Sequence, residues 1–200
     1  MSNVITYRSR SNYVFFVLGI FLSLGILADN LIVGNGEGFI QVAAISTAIA
    51  LASYVLFLRP KIVFFDEGIT ITNMLSEVTV GWHQVEAVET RYCMSIQVND
   101  KVIYAVAAPA PGRYHSRTVH ESELRGINVP TTESLRPGDS PRSQSGVAAH
   151  LARTRMNDFF KRELQPTVTY TTTAKPWAAL IAVGLLAIVL LSEMWHYIVL

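Results

Sequence analysis

The sequence predicts an α+β membrane protein with an N-terminal transmembrane helical hairpin, a cytoplasmic antiparallel β-domain carrying an amphipathic helix, and one C-terminal transmembrane helix. Three observations predict it. Two apolar runs follow each other near the N-terminus and a third closes the chain. The stretch between them alternates apolar and polar residues with period two, as half-buried strands do. All 16 lysines and arginines fall where they would share one side of the membrane. Composition agrees: 50% of the 200 residues are hydrophobic and 16% are charged, and mean hydropathy is +0.34, values that suit a chain partly in lipid and partly in water. A net charge of +1 gives no global basic field, so nucleic acid is not an expected partner. The lone Cys93 excludes an intrachain disulfide and a multi-cysteine zinc site.

Residues 1–12 form a short cytoplasmic arm bearing Arg8 and Arg10. The first expected span covers 13–33 and the second 39–58, each close to the roughly 20 helical residues a bilayer core requires. The first is too long for a signal-peptide core, and no small-x-small cleavage site follows it. Gly34, Gly36 and Gly38 suit the tight turn of a hairpin. The third span, 177–200, reaches full length only if its polar end, with Glu193 and His196, meets the far interface.

Orientation follows from the basic residues. The hairpin turn carries Asp29 and Glu37 and no lysine or arginine, Arg59 and Lys61 follow the second span at once, and nothing basic follows Lys175. The N-terminus and the central region are therefore expected on the cytoplasmic side of the membrane, and the C-terminus outside. Tyr13, Arg59, Lys175, Trp177, Trp195 and Tyr197 stand at the ends of the spans, where aromatic and basic side chains anchor at headgroup level.

The β-domain is expected over 59–125. Ile69 and Ile71 share one strand face, as do Val78, Val80 and Trp82, and then Tyr92, Met94, Ile96 and Val98. Asn99-Asp100 turns the chain into a return strand with Val102, Tyr104 and Val106 on one face. The expected core includes Trp82, Val85, Val88, Ile96 and Tyr104. Residues 126–146 are rich in Pro, Ser, Gly and Arg and read as a flexible loop. Ser145 then caps an amphipathic helix over 147–165, ended by Pro166. Its basic residues Arg153, Arg155, Lys161 and Arg162 form a candidate lipid interface. The competing reading, in which its apolar stripe closes the β-domain, is preferred, because amphipathic helices of small domains are usually core elements.

Arg59-Pro60-Lys61, Asp66-Glu67-Gly68-Ile69, the Gly81-Trp82-His83-Gln84-Val85 segment and the Ala107-Ala108-Pro109-Ala110-Pro111 run after a strand pair resemble the bacterial PH-like domain membrane proteins common in actinobacteria. The resemblance covers Arg59 to about Arg113 and the flanking helices. It implies a bent antiparallel sheet closed by a C-terminal helix, and it is nearly silent on activity. From 62 to 89 there is no basic residue, so the strand pair lacks the cluster a phosphoinositide would need.

Catalytic machinery is not expected. The five histidines lack the ligand spacings of a zinc site, and there is no nucleophile elbow, phosphate-binding loop or HExxH motif. Neither cofactor nor metal is expected. The functional expectation is a non-enzymatic, membrane-anchored interaction module, an accessory or assembly subunit of a larger inner-membrane complex, respiratory or cell-envelope. Its partners would be membrane lipids and other integral membrane proteins. The alternative is a sensor of anionic lipid or a small ligand that uses the basic helix; a transporter or an enzyme comes third.

Overall fold

The computed structural model describes residues 4–34, 38–111 and 137–175, together with 177, 180, 181, 183–185, 187 and 189. The chain divides into two units. One gathers the described residues of Met1–Ser9, Pro60–Asn73 and Glu77–Thr173, the other those of Arg10–Arg59, Met74–Ser76 and Ala174–Leu200.

The second unit is built on two helices, α1 (Arg10–Ile32) and α2 (Phe39–Ser53). A wide turn over Tyr54–Leu58 prolongs α2, with the Arg59 N–H donating to the Tyr54 carbonyl at 2.9 Å. Both Arg10–Ile32 and Phe39–Leu58 are long and apolar enough to cross a membrane. Their expected limits, 13–33 and 39–58, agree with these to within a turn. Gly38 occupies the left-handed region at φ 62° just before α2, a conformation glycine adopts without cost. The helices run antiparallel, since Phe15 meets Phe57, Gly19 meets Ser53 and Ser23 meets Ser46. The Ser23 hydroxyl donates to the Ser46 carbonyl at 2.7 Å. A Cβ on Gly19 would lie 2.0 Å from the Ser53 Oγ, so only glycine allows this approach. The side chains buried along the seam are small, Ser23, Ala44, Ser46 and Ser53. The large ones point away; Phe21 is 68% exposed, with Leu22, Leu24 and Ile40 similarly placed. Trp177 and the other described residues up to 189 are helical, and the rest of the expected third span lies outside the described residues.

The first unit is the β-domain. One sheet has the order β1 (Ile5–Tyr7), β2 (Lys61–Phe64), β3 (Gly68–Thr72), β4 (Ser76–Gly81), β8 (Thr171–Ala174); the other is β5 (Ala87–Glu89), β6 (Cys93–Val98), β7 (Lys101–Pro109). The pairings β1–β2, β2–β3, β3–β4, β5–β6 and β6–β7 are antiparallel. Alternation delivers Ile62, Phe64, Ile69, Ile71, Val78 and Val80 from the first sheet, and Met94, Ile96 and Val98 from the second, into one core around Trp82. The Trp82 indole N–H donates to the Phe65 carbonyl at 3.0 Å, so its polar tip is satisfied although the ring is fully buried. Asn73 joins the sheets by acting as a short piece of strand: its amide donates to the Tyr104 carbonyl at 2.7 Å, and the Val106 N–H donates back at 3.1 Å.

Helix α3 (Gln144–Lys161) closes the core with Ala148, Ala149, Ala152 and Phe159, which settles the choice between the two readings of its apolar stripe at the level of packing. Its N-cap is Ser143, not Ser145: the Ser143 Oγ accepts from the Gly146 N–H at 2.8 Å. Ser145 is buried and donates to the Gly138 carbonyl at 2.8 Å.

Four further differences from the sequence expectations have physical causes. Tyr104 is 47% exposed and does not belong to the core. The two-residue turn at Asn99 (φ 46°) and Asp100 (φ 61°) pairs Ile96 with Ile103 and Met94 with Ala105. Directly opposed residues share a face, so Ile103 and Ala105 turn inward and Val102, Tyr104 and Val106 outward. Tyr92 precedes the strand and is exposed, with the Arg91 guanidinium 5.2 Å over its ring. The expected flexible loop 126–146 is structured over 137–146, with Asp139, Ser140, Ser143 and Ser145 buried; 126–136 lies outside the described residues. Finally, β1 falls in the arm expected to be plain, and β8 in a stretch given no element.

Candidate functional site

Among the described residues, charge and unusual polar contacts gather in three places, one in the helical unit and two in the β-domain. The first is a knot of backbone at Arg59. This side chain is only 8% exposed. Its Nη1 donates to the Met74 carbonyl and, at 3.2 Å, to the Lys175 carbonyl. The Lys175 N–H in turn donates to the Leu75 carbonyl at 2.7 Å. The guanidinium thus ties the end of α2 to the β3–β4 turn and to the start of the third apolar run. Neither acceptor is a carboxylate, and Nη2 is buried without a hydrogen-bond partner among the described residues.

The second place is a polar network where α3 begins. Asp139 accepts from the Thr90 hydroxyl at 2.9 Å and pairs with Arg153 at 3.3 Å. Arg153 also donates to the Val88 carbonyl at 2.8 Å. The Pro137–Asp139 turn fits closely against β5: a Cβ on Gly138 would stand 2.2 Å from the Thr90 carbonyl oxygen. This network fixes α3 on the second sheet and makes Arg153 a structural residue.

The third place is a cleft beside the β2–β3 turn. One lobe of about 530 Å³ is lined by Val4, Val63, Phe65, Glu67, Leu164 and the shared pair Asp66 and Arg162. A neighbouring lobe of about 360 Å³ shares that pair and adds Ile5 and the α3 residues Leu151, Thr154, Arg155 and Asp158. Arg155 is bound to Asp66 at 2.6 Å, and the Glu67 carboxylate accepts from the Thr167 hydroxyl. The lining mixes three carboxylates with two guanidiniums over an apolar floor. Among the described residues no group of three or more His, Cys, Asp or Glu side chains could hold a metal ion.

Of the candidate lipid-interface residues, Arg153 and Arg155 are engaged inside the β-domain, while Lys161 and Arg162 are exposed at the end of α3. Among the anchors, Tyr13 stands exposed in the first turn of α1, Arg59 and Lys175 meet in the knot above, and Trp177 is exposed. Trp195 and Tyr197 lie outside the described residues. Trp82, Val85 and Ile96 are buried in the core, and Val88 is partly buried against it. The acceptors of Arg59, Arg153 and Arg155 could not be found from the sequence, because each pair is distant along the chain and carries no local spacing signal.

Two groups of the β-domain have displaced acidity. Burial pushes the Tyr7 phenol above its usual range, and its hydroxyl donates to the Gln144 carbonyl at 3.1 Å. Burial likewise pushes the Cys93 thiol up, opposed by a weaker backbone hydrogen bond from Ala105. A raised thiol is a less reactive one. No protein-family model, no curated protein and no solved structure matches the chain, so the geometry of these three places carries the functional reading.

Proposed function

We propose that the chain is a non-enzymatic interaction module anchored in a membrane. The observation that carries this reading is the inverted burial of α1 and α2, which hide serines and alanine and present phenylalanine and leucine. In water such a hairpin would expose a continuous apolar surface. In hydrocarbon, helices associate through small residues and hydroxyl bonds, which is the seam seen here. The β1–β2 pairing supports a hairpin that returns to its starting side, since the chain before α1 and the chain after α2 lie in one sheet. The distribution of the 16 lysines and arginines supports an orientation with that side in the cytoplasm of a bacterial plasma membrane and the third apolar run leading outward. Two antiparallel sheets around one core with α3 across them support the PH-like arrangement.

On this reading the β-domain is a platform for other integral membrane proteins, and the chain is an accessory subunit of a larger respiratory or cell-envelope assembly. The lipid sensor built on α3 is less well supported, because two of its four basic side chains hold ion pairs within the domain. The test is extraction of the native protein in mild detergent followed by sizing and mass spectrometry. A stoichiometric complex with another membrane protein is expected; a protein that elutes only as a free monomer overturns the accessory-subunit reading.

A further inference from the structure

We infer that the β3–β4 turn, Met74 and Leu75, is an additional membrane contact: an apolar tip that enters the lipid interface and is ringed by basic residues that hold anionic headgroups. The inference deepens the membrane-anchored reading and rests on it. Its starting point is that Met74–Ser76 belongs to the same compact unit as α1 and α2 and not to the β-domain that supplies the flanking strands.

The turn is chemically odd. Tight turns favour Gly, Asn, Asp, Ser and Pro, yet this one places Met and Leu together, and Leu75 is 43% exposed. Its position is fixed: Arg59 holds the Met74 carbonyl, and the Lys175 N–H holds the Leu75 carbonyl. Both ties come from residues bordering apolar runs, so the turn sits at the level where the helices end. Arg10 stands at that same level. The antiparallel contacts Phe15 to Phe57 and Gly19 to Ser53 bring the start of α1 beside the end of α2.

Three basic residues frame this level, Arg10, Arg59 and Lys175, and one carboxylate, Glu77, follows the turn. Arg59 matters most, because its acceptors are two carbonyls, it is almost wholly buried, and among the described residues its second terminal nitrogen has no hydrogen-bond partner. Carbonyl dipoles offset a buried cation only in part. An anionic phospholipid headgroup close to the turn supplies the missing counter-charge, and basic residues flanking a span attract such lipids. Zwitterionic lipid would accept the apolar tip equally well but would not neutralise the guanidinium.

The experiment uses the full chain in nanodiscs of phosphatidylcholine with or without phosphatidylglycerol. On a Cys93→Ser background, a polarity-sensitive fluorophore is placed at Leu75→Cys, and in a separate protein at Ile45→Cys on α2. Quenching of the Leu75 probe by lipid labelled near the headgroup, and its protection from aqueous iodide, are expected. If the Ile45 probe is quenched by acyl-chain label while the Leu75 probe meets only iodide, this inference fails and the membrane-anchored reading stands. If neither probe is quenched by lipid, the anchored reading fails first. Retention of phosphatidylglycerol over phosphatidylcholine, read by native mass spectrometry, should fall roughly five-fold for Arg10→Gln, about the weight of one interfacial cation. Arg59→Gln should lower it further, and Arg59→Lys, which keeps the charge, should restore much of the preference; an unchanged preference in Arg10→Gln and Arg59→Gln overturns the headgroup assignment.

Discussion

Among the described residues, the largest fully buried side chains of the β-domain include Trp82, Phe64, Ile62, Ile69, Ile71, Met94 and Ile96, whereas in the helical unit the buried positions are Ser23, Ala44, Ser46, Ser53, Val55 and Arg59. The first set is held by removal of large apolar surface from water, about 25 cal/mol per Å². The second set is held by close backbone approach and by hydroxyl bonds such as Ser23 to Ser46. On the membrane-anchored reading proposed above, one chain thus folds by two different physical rules, and the composition of each buried layer fits a different solvent. A substitution that is severe under one rule should be mild under the other.

The sharpest break of this contrast is Trp82→Ala. It should remove about 3–5 kcal/mol from the β-domain through lost burial and the cavity left behind, and orphan the Phe65 carbonyl that the indole serves. Denaturant unfolding of the purified protein in detergent, followed by near-ultraviolet circular dichroism for the β-domain and far-ultraviolet for the helices, should show the domain melting early with α1 and α2 intact. Loss of both together would mean the units share a single folding transition.

Gly19→Leu is the converse. Leucine would suit hydrocarbon, yet here it would meet Ser53 and force the helices apart, a cost of about 1–3 kcal/mol by analogy with overpacked cores. Oxidative cross-linking between Phe15→Cys and Phe57→Cys should drop in yield, with the β-domain transition unmoved. An unchanged yield would show that the seam does not depend on that approach.

The smallest effect belongs to Cys93. Its thiol is pushed up by burial, so the folded protein favours the protonated form. The resulting stabilisation is present below the ordinary thiol range and is lost as pH rises through the raised folded value. Iodoacetamide labelling should be slow near neutrality, with a midpoint shifted above that of the denatured protein; labelling at the denatured protein's midpoint would show that the site is open.

Much of this contrast was legible beforehand because each rule leaves a periodic signature. Long uncharged runs gave α1 and α2 to within a turn, and alternation gave Ile69 with Ile71 and Val78 with Val80. Tyr104 was misplaced for a reason that was itself readable: with a two-residue turn at Asn99-Asp100, an inward Ile96 forces Ile103 inward and puts Tyr104 on the outer face. Strands β1 and β8 were not readable, being three and four residues long and held by pairing rather than by an apolar pattern. The buried turn before α3 has almost no apolar residues and is ordered by Asp139, Thr90 and the serine hydroxyls, which composition alone counts as loop. The acceptors of the arginines are long-range choices of the fold. Arg155 reaches Asp66, and Arg59 reaches Lys175, across most of the β-domain sequence.

The pairing of β1 with β2 also constrains the order in which the molecule is made. Ile5 leaves the ribosome before either apolar helix, but its partner Phe64 emerges only after both. Domains usually assemble from the N-terminus as synthesis proceeds, yet this strand must remain unpaired until the whole hairpin has been delivered. The closing of a loop of that size is among the slower events of folding. Strand β1 is therefore a late seal, whose docking records that the two helices before β2 have been placed.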